Sequence, residues 1–347
     1  MMKKTYFVTI LFVLAINANA QPPLQWAKNI GGSRGDDIVV DAAGSVYTTG
    51  YFSGVMDFDP GPSTFYMTAD GGGADDAYVS KLDVNGDFVW AKRLGGNSTN
   101  YGNALAVDAN GNIYTVGSFA GTVDFDPGVA VYDLTSAGQS DIFISKLDAT
   151  GNFVWAQKIG SNTAQVANSI IVDASGNIIV AGNFVGAVDF DPGPATFNIS
   201  VAGSTDVYLL KLDINGNFLW AKTFAGVDAE AGRDVIVDAT GNVYVTGLFL
   251  ATVDFDPGPG VYNLTSFVAS TDIFIVSLDA AGNFVYAIKL GGTTLDAGLA
   301  LFVNGAGILH ATGYFEGAVD FDPGAGIATL NSAEGRTFII KLGGSVL

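Results

Sequence analysis

Short runs in which apolar and polar residues alternate recur along the chain and predict β-strands. In one representative unit, residues 104–107 and 113–119 are rich in apolar residues and flank the turn Asp-Ala-Asn-Gly-Asn. A second pair, residues 141–147 and 153–158, flanks another turn that contains glycine. Two hairpins of short strands with such turns predict a four-stranded antiparallel sheet, whose strands we name a, b, c and d in chain order.

This unit occurs five times, and the pentapeptide Asp-Phe-Asp-Pro-Gly marks each copy. The string begins at Asp57, Asp124, Asp189, Asp254 and Asp320, at intervals of 67, 65, 65 and 66 residues. A repeat of this length that is built from short strands is typical of β-propellers and related arrays. In every copy the string lies between strands b and c.

The two ends of the chain predict how the repeats are arranged. Residues 24–30 have the sequence of a lone strand d, whereas the fifth copy stops after strand c, at residues 337–342. A complete fifth sheet therefore requires the N-terminal strand, which closes the ring and protects its edges. The predicted fold is all-β: residues 21–347 form a single closed β-propeller with five blades of four antiparallel strands, and the N-terminal strand completes the last blade.

Three motifs of the unit recur in one order and resemble a known repeat. They read Phe-Val-Trp-Ala-Lys-Arg-Leu-Gly-Gly at residues 88–96, Ala-Val-Asp-Ala-Asn-Gly-Asn-Ile-Tyr-Thr-Val-Gly at 106–117 and Asp-Ile-Phe-Ile-Ser-Lys-Leu-Asp at 141–148. The chain is similar to the SBBP repeat family of secreted bacterial proteins, and the resemblance covers residues 24–342. It implies a β-propeller and supplies no catalytic residues. The family name abbreviates a seven-bladed propeller, whereas this chain has five units.

Residues 1–20 are predicted to be a signal peptide. Two lysines precede an apolar stretch at residues 7–16, and Ala-Asn-Ala at 18–20 forms a cleavage site. The stretch of ten residues is shorter than the roughly 20 that a membrane-spanning helix needs. We expect a protein secreted to the periplasm, the bacterial cell surface or the exterior, with no membrane insertion after cleavage.

Composition restricts the partners of the protein. The chain has no cysteine, so its exported form holds together without disulfides. Its formal net charge of −19 becomes −21 when the two lysines of residues 1–20 are removed. An acidic chain repels phosphate backbones and anionic lipids, which argues against nucleic acid and membrane surfaces as partners. We expect a monomer that binds a protein or glycan ligand on the face that carries the b–c connections.

The aspartates of the string are candidate calcium ligands. They are Asp57, Asp59, Asp124, Asp126, Asp189, Asp191, Asp254, Asp256, Asp320 and Asp322. Two carboxylates spaced i and i+2 in an extended segment point the same way, roughly 7 Å apart, and calcium prefers oxygen ligands. The alternative is a structural turn, because proline and glycine suit a β-turn. In that case the first aspartates pair with strand-c lysines, for which the candidates are Lys81, Lys146, Lys211 and Lys341.

Function that is not fivefold is expected where the copies differ. Five residues before the strand-a aspartate, near the mouth of the channel, the copies carry Asp36, Asn103, Asn168, Arg233 and Leu299. The three glutamates and the one histidine are also specific to single copies: Glu230, Glu316, Glu334 and His310. We predict a non-catalytic binding or scaffold module. The alternative is a glycan-active enzyme, a glycosidase or lyase, with carboxylates such as Glu230 at the channel.

Overall fold

The described part of the chain is built from β-strands. A computed structural model describes residues 24–70, 73–201, 203–267 and 269–343. These residues form 27 strands, and none of them belongs to a helix long and apolar enough to cross a membrane. The predicted signal peptide, residues 1–20, lies outside the described residues.

The strands fall into five consecutive groups, blades 1 to 5, which correspond to the five sequence repeats. Blade 1 consists of β1 (Arg34–Val40), β2 (Val46–Phe52), β3 (Val55–Asp57), β4 (Tyr66–Thr68), β5 (Asp76–Leu82) and β6 (Phe88–Gly96). Blade 2 consists of β7 (Asn100–Val107), β8 (Ile113–Phe119), β9 (Thr122–Asp124), β10 (Asp133–Thr135), β11 (Asp141–Leu147) and β12 (Phe153–Ile159). Blade 3 consists of β13 (Gln165–Val172), β14 (Ile178–Phe184), β15 (Ala187–Asp189), β16 (Asn198–Ser200), β17 (Asp206–Leu212) and β18 (Phe218–Gly226). Blade 4 consists of β19 (Glu230–Val237), β20 (Val243–Phe249), β21 (Thr252–Asp254), β22 (Asn263–Thr265), β23 (Asp272–Leu278) and β24 (Phe284–Leu290). Blade 5 consists of β25 (Ala297–Val303), β26 (Leu309–Asp320) and β27 (Thr329–Leu342).

In blades 1 to 4, strands a, b, c and d are hydrogen-bonded side by side in chain order. The orders are β1-β2-β5-β6, β7-β8-β11-β12, β13-β14-β17-β18 and β19-β20-β23-β24, and every pairing is antiparallel. The prediction of four-stranded antiparallel sheets is confirmed for these blades. Blade 5 contains strands a, b and c, in the order β25-β26-β27.

The tight turns between strands are closed by aspartate and glycine, as the sequence predicts. In the a–b turn of blade 2, Asp108 Oδ1 accepts hydrogen bonds from the backbone N–H groups of Asn110 (2.8 Å) and Asn112 (2.9 Å). Gly111 has a φ of 79°, a conformation that side chains with a Cβ rarely adopt. The turn therefore requires glycine at this position.

The predicted completion of blade 5 by the N-terminal strand stays a prediction. Residues 24–30 are not assigned to a strand, and β27 pairs with β26 alone among the described residues. The segment lies against blade 1 instead. Trp26 Nε1 donates to the carbonyl of Val84 at 3.2 Å, as Trp155 Nε1 of β12 donates to Ile214 of the next blade at 3.2 Å. The segment thus occupies the place of a strand d that precedes blade 1.

The connection between strands b and c forms a short extra hairpin, which we call the linking hairpin. The linking hairpins of blades 1 to 4 are β3-β4, β9-β10, β15-β16 and β21-β22, and blade 5 has the equivalent in the adjoining ends of β26 and β27. β9 also pairs with the end of β6 in the preceding blade, Gly95 with Asp124 and Gly96 with Val123. The strings of blades 2, 3 and 5 therefore begin beside Gly95, Gly160 and Gly291 at the end of the preceding strand d, and that of blade 4 begins beside Ala225. These pairings join each of the four blades to the one before it.

Three buried aromatic side chains hold each linking hairpin on its own blade. In blade 2, the ring centroid of Phe125, from the string, lies 5.4 Å from that of Phe119 and 4.9 Å from that of Phe143. The other triads are Phe52, Phe58 and Tyr78; Phe184, Phe190 and Tyr208; Phe249, Phe255 and Phe274; and Phe315, Phe321 and Phe338. Edge-to-face and tilted aromatic pairs contribute about 0.5–1.5 kcal/mol each beyond the burial of their surface.

Replacement of Phe125 tests the role of the triad. Phe125→Ala is expected to lower the free energy of unfolding by about 3–5 kcal/mol, because it empties a fully buried site. Val129→Ala is the control, since Val129 lies in the same hairpin and is fully exposed. Urea unfolding followed by tryptophan fluorescence measures both. Equal midpoints for the two variants would contradict the role of the triad.

Candidate functional site

The aspartates of the string accept hydrogen bonds from backbone N–H groups of the linking hairpin. In blade 2, Asp124 Oδ1 accepts hydrogen bonds from the N–H groups of Asp126 (3.0 Å) and Tyr132 (2.8 Å). Asp126 Oδ1 accepts from the N–H of Gly128 at 2.7 Å. The same three bonds recur in the other strings, through Asp57 and Asp59, Asp189 and Asp191, Asp254 and Asp256, and Asp320 and Asp322. The ten carboxylates thus act as turn residues, which is one of the two alternatives that the sequence leaves open.

The predicted pairing of these aspartates with strand-c lysines is wrong for three of the four candidates. Lys211 pairs with Asp173 of an a–b turn at 3.0 Å, and Lys146 donates to the carbonyl of Ile214 at 3.1 Å. The ammonium of Lys81 lies 4.9 Å from the centroid of the Tyr47 ring. These lysines lie near the end of strand c, whereas the string precedes its start, so the length of the strand separates them.

The remaining candidate, Lys341, lies on β27 opposite His310 of β26. The ring of His310 is 6.2 Å from that of Phe302 on the neighbouring strand. His310 is therefore placed in the sheet of blade 5, as the sequence predicts.

Calcium binding by the strings stays a prediction. Calcium takes six to eight oxygen ligands, and each string supplies two carboxylates. Within the described part of the chain, no group of three or more His, Cys, Asp or Glu side chains is arranged to hold a metal ion. A calcium site here would need its further ligands from backbone carbonyls and water.

Each strand a contains a β-bulge of one residue, and the bulged residue is of four different types among the five blades. The pairing with strand b passes from Gly35 to Asp37 in blade 1 and from Gly102 to Ala104 in blade 2. The five bulged residues are Asp36, Asn103, Asn168, Arg233 and Leu299. A bulge leaves its extra residue outside the ladder and re-aims the side chain. These are the residues that the sequence singles out as specific to single copies.

A cavity of about 400 Å³ lies where the strands a meet. Four of the bulged residues line it, namely Asp36, Asn103, Asn168 and Arg233. Blade 5 contributes Leu301. Four of the five residues that the sequence places near the mouth of the channel therefore line one cavity, and a closed central channel stays a prediction.

The bulged residues differ in what they do. Asn103 Nδ2 donates to the carbonyl of Ala167 at 2.9 Å, and Asn168 Nδ2 donates to that of Gly232 at 2.7 Å, so each amide reaches the next blade. Arg233 is exposed and makes no ion pair with any described residue. Its guanidinium group is available to a ligand.

A patch of polar and aromatic side chains adjoins the cavity between blades 1 and 2. Arg34 Nε donates to Asp36 Oδ1 at 2.9 Å, and its guanidinium carbon lies 5.6 Å from the centroid of Tyr51. The rings of Tyr51 and Tyr101 meet edge to face, with centroids 4.7 Å apart. Sequence reasoning missed the two tyrosines, although both positions differ between the copies.

Two carboxylates inside the cavity tie neighbouring blades together. Asp37 Oδ2 accepts the N–H of Leu105 at 2.8 Å, and Asp234 Oδ2 accepts the N–H of Leu301 at 2.7 Å. Burial raises the pKa of Asp37, and its backbone hydrogen bonds oppose this shift. Both carboxylates thus have a hydrogen-bond partner in the next blade.

The unit-specific glutamates do not gather at the cavity. Glu230 is 1% exposed and faces Asp206, and it forms no ion pair with Arg233. Glu316 lies in β26 of blade 5, and Glu334 is exposed on β27. The start of strand a points Glu230 between two blades, whereas the bulge three residues later points Arg233 into the cavity.

Sequence comparisons find a propeller repeat. Residues 89–118 match the family model SBBP, described as a β-propeller repeat. An uncharacterized WD repeat-containing protein, L264 of Acanthamoeba polyphaga mimivirus, is 25% identical over 60% of this chain and 17% of its own length. The regulatory protein FlaEY of Caulobacter vibrioides is 27% identical over 51% of this chain and 19% of its own length. The chain therefore spans less than a fifth of either curated relative.

Solved structures are similar to this chain at low scores. A protein of unknown function from Bacteroides caccae is 14% identical, with a TM-score of 0.34, and the match covers 67% of this chain and 78% of that protein. Sqt1 from Chaetomium thermophilum is 12% identical, with a TM-score of 0.30, and the match covers 84% of this chain and 81% of Sqt1.

Two substitutions of Asp124 separate a turn residue from a calcium ligand. Asp124→Ala is expected to lower the free energy of unfolding by about 1.5–3 kcal/mol, because two N–H groups lose a charged acceptor. Asp124→Asn keeps an acceptor oxygen and is expected to lose about 1 kcal/mol or less. Urea unfolding with and without millimolar calcium measures both. A wild-type midpoint that rises in calcium, with a smaller rise in both variants because one of the five strings is altered, would establish a metal site instead.

Proposed function

The chain carries the SBBP β-propeller repeat, and from this premise we propose that it is a secreted, non-catalytic glycan-binding module. The observation that carries the proposal is the set of five bulges. One backbone feature is repeated in every blade, yet the side chain at the bulge is of four different types among the five copies, and four of the five bulged residues line the same cavity. Bulges of this kind aim side chains at a ligand.

The chemistry around the cavity suits a neutral glycan. Sugars are recognised by amides, carboxylates and guanidinium groups that bind hydroxyls and by aromatic rings that cover apolar sugar faces. Asn103, Asp36 and Arg233 supply the polar groups, and Tyr51 and Tyr101 supply the rings. The net charge of −19 repels polyanionic glycans, which favours an uncharged one.

A non-catalytic role is supported by the placement of the acids. Glycoside hydrolysis uses two carboxyl groups that flank the scissile bond. Asp37 and Asp234 are bound to backbone N–H groups of neighbouring blades, and Glu230 is buried away from the cavity. The glycan-active alternative therefore lacks the acid on which it depended.

Secretion is proposed from residues 1–20 and fits the absence of cysteine. A module that is secreted in this way encounters glycans of the bacterial envelope or its surroundings. A scaffold role at the envelope follows from the same binding, since the five blades offer one rigid platform.

The five blades are proposed to close into a ring, because blades 1 and 5 leave matching apolar surfaces exposed. Ile339 in strand c of blade 5 is 78% exposed, and Ile38 in strand a of blade 1 is 61% exposed. The residues equivalent to Ile339 are buried: Val79, Ile144, Leu209 and Ile275. The residues equivalent to Ile38 are also buried: Leu105, Ile170, Val235 and Leu301. In the other blades these two positions pack against each other across a blade junction, so Ile339 and Ile38 suit one another.

The N-terminal segment supports the same closure. Trp26 and Lys28 already contact the c–d turn of blade 1 through Val84 and Asp87, where a preceding strand d would lie. Blade 5 has three strands, and a fourth strand paired with the free edge of β27 would complete it. Pairing of residues 24–30 with β27 would satisfy the backbone groups of both and remove the edge.

Substitution of Ile339 tests the closure. In a closed ring, Ile339→Asp buries a charge between blades 5 and 1 and lowers the free energy of unfolding by about 3 kcal/mol or more. Val129→Asp is the control, because Val129 is fully exposed on a linking hairpin. Urea unfolding of both variants, with light scattering to confirm a monomer, gives the answer. Equal midpoints, or a midpoint that rises with protein concentration, would show that blade 5 does not close on blade 1.

Substitution of Tyr101 tests the proposed ligand. The mature protein is titrated calorimetrically with soluble neutral glucans, xylans and mannans. Tyr101→Ala is expected to weaken binding at least tenfold, about 1.4 kcal/mol, because it removes an aromatic platform. Tyr66→Ala is the control, since Tyr66 is 63% exposed on the linking hairpin of blade 1. The proposal fails if no glycan binds with a Kd below about 1 mM, or if Tyr101→Ala binds as the wild type does.

A further inference from the structure

Each junction between consecutive blades buries an aspartate at the start of strand c. Asp76, Asp141, Asp206 and Asp272 are all fully buried. Another buried polar residue, at the first position of strand a of the next blade or one residue before it, lies at the same junction: Asn100, Gln165, Glu230 and Asp296. Where blades 1 and 2 meet, Asn100 Nδ2 donates to Asp76 Oδ1 at 3.3 Å.

At three of these junctions strand d provides a cation for the buried aspartate. Arg93 lies 3.1 Å from Asp76, and Lys158 lies 3.7 Å from Asp141. Lys289 lies 3.4 Å from Asp272. A buried carboxylate needs such a partner, because an uncompensated charge in the interior is costly.

The junction of blades 3 and 4 departs from this pattern at three positions together. Thr223 occupies the strand-d position that carries the cation elsewhere, and Ala225 occupies the position of Gly95, Gly160 and Gly291. Those glycines lie directly against the buried aspartates, and a methyl group there would collide with the carboxylate. The third departure is Glu230, an acid that faces Asp206.

Glu230 is held inside this junction by its own backbone. Its N–H donates to the carbonyl of Thr205 at 3.0 Å, and Thr205 Oγ1 donates to the Glu230 carbonyl at 3.3 Å. The carboxyl group lies against Gly226 and Val253 and is within hydrogen-bonding reach of Asp206.

The charged groups that face Glu230 are all acidic. Asp206 comes from β17 of blade 3, and Asp228 comes from the loop before β19. The other neighbours named above, from β18, β21 and the residue before β17, are uncharged. Two buried carboxyl groups in contact are stable only if one of them keeps its proton.

We propose that Glu230 and Asp206 share one proton at the junction of blades 3 and 4, and that loss of this proton weakens the contact between the two blades. On deprotonation the proton leaves to water and the pair gains one negative charge. The junction is then expected to respond to alkaline pH. The other three junctions have a cation beside the buried aspartate, and at the junction of blades 4 and 5 burial raises the pKa of Asp272 to about 6, below that of Glu230.

The direction of the pH dependence follows from the ionisation of Glu230. Burial first, and then the neighbouring Asp206 and Asp228, raise its pKa from 4.5 to about 8. Between these two values the folded protein binds more protons than the unfolded chain, so stability falls as the pH rises. The stabilisation is complete below about 4.5 and is lost as the pH passes through about 8.

Thermal melting of the full mature chain at several pH values between 5 and 9 tests the proposal. The Tm of the wild type is expected to fall by at least ~3 °C more than that of Glu230→Gln over this range. Thr223→Lys restores the cation of the other junctions and is expected to reduce the fall as well. Infrared spectroscopy near neutral pH is expected to show the carbonyl band of a protonated carboxyl group, which Glu230→Gln removes.

Gln165→Asn at the junction of blades 2 and 3 is the matched control, and it is expected to keep the pH dependence of the wild type. If Glu230→Gln and Thr223→Lys melt with the same pH dependence as the wild type, or if the infrared band is absent from the wild type, the shared proton is disproved. Should Glu230→Gln not fold, Thr223→Lys and the infrared band still decide the question.

Discussion

The burial of one phenylalanine per repeat is the interaction on which the rest of the structure depends. Phe125 and its equivalents lie between an aromatic ring of strand b and one of strand c, so the linking hairpin has one position on its blade. That position brings the first aspartate of the string, Asp124 in blade 2, opposite Gly95 of the preceding strand d. Packing within a blade thus positions the hydrogen bonds between blades. The aspartates have a structural role, as acceptors of backbone hydrogen bonds, that does not depend on a ligand.

In this fold the backbone of each blade is repeated, whereas the side chains at the bulges vary. The repeated backbone supports stability, and the varied side chains are available for function. The bulge in strand a recurs in every blade because the pairing with strand b requires it, yet the side chain at the bulge has no partner in the ladder and is free to differ. Asn103 and Asn168 use this freedom to reach the next blade, whereas Arg233 faces the cavity. The junctions between blades also vary. At three of them an ion pair compensates the buried aspartate, and in our proposal a proton shared by Glu230 and Asp206 takes its place at the junction of blades 3 and 4.

The limits of the prediction have one cause: closeness or resemblance in sequence does not determine which residues are in contact in the folded chain. The strand-c lysines resemble partners for the strings in sequence, but they lie at the other end of the strand, and Lys211 meets Asp173 of a different turn. Residues 24–30 have the pattern of a strand, and whether they form one depends on a distant partner, β27. Glu230 and Arg233 are close in sequence, and the bulge at Arg233 gives the two side chains different surroundings.

The sequence by itself determined the repeat, the four strands of a blade and the turns, because alternation of apolar residues and glycine-containing turns are local properties. It also selected Asp36, Asn103, Asn168 and Arg233 as the residues that matter, since only comparison of the copies was needed. The tertiary structure decided that these four surround one cavity, that the strings are hairpins between blades and that Glu230 meets Asp206. Those outcomes depend on contacts between residues of different blades, and no local pattern encodes them.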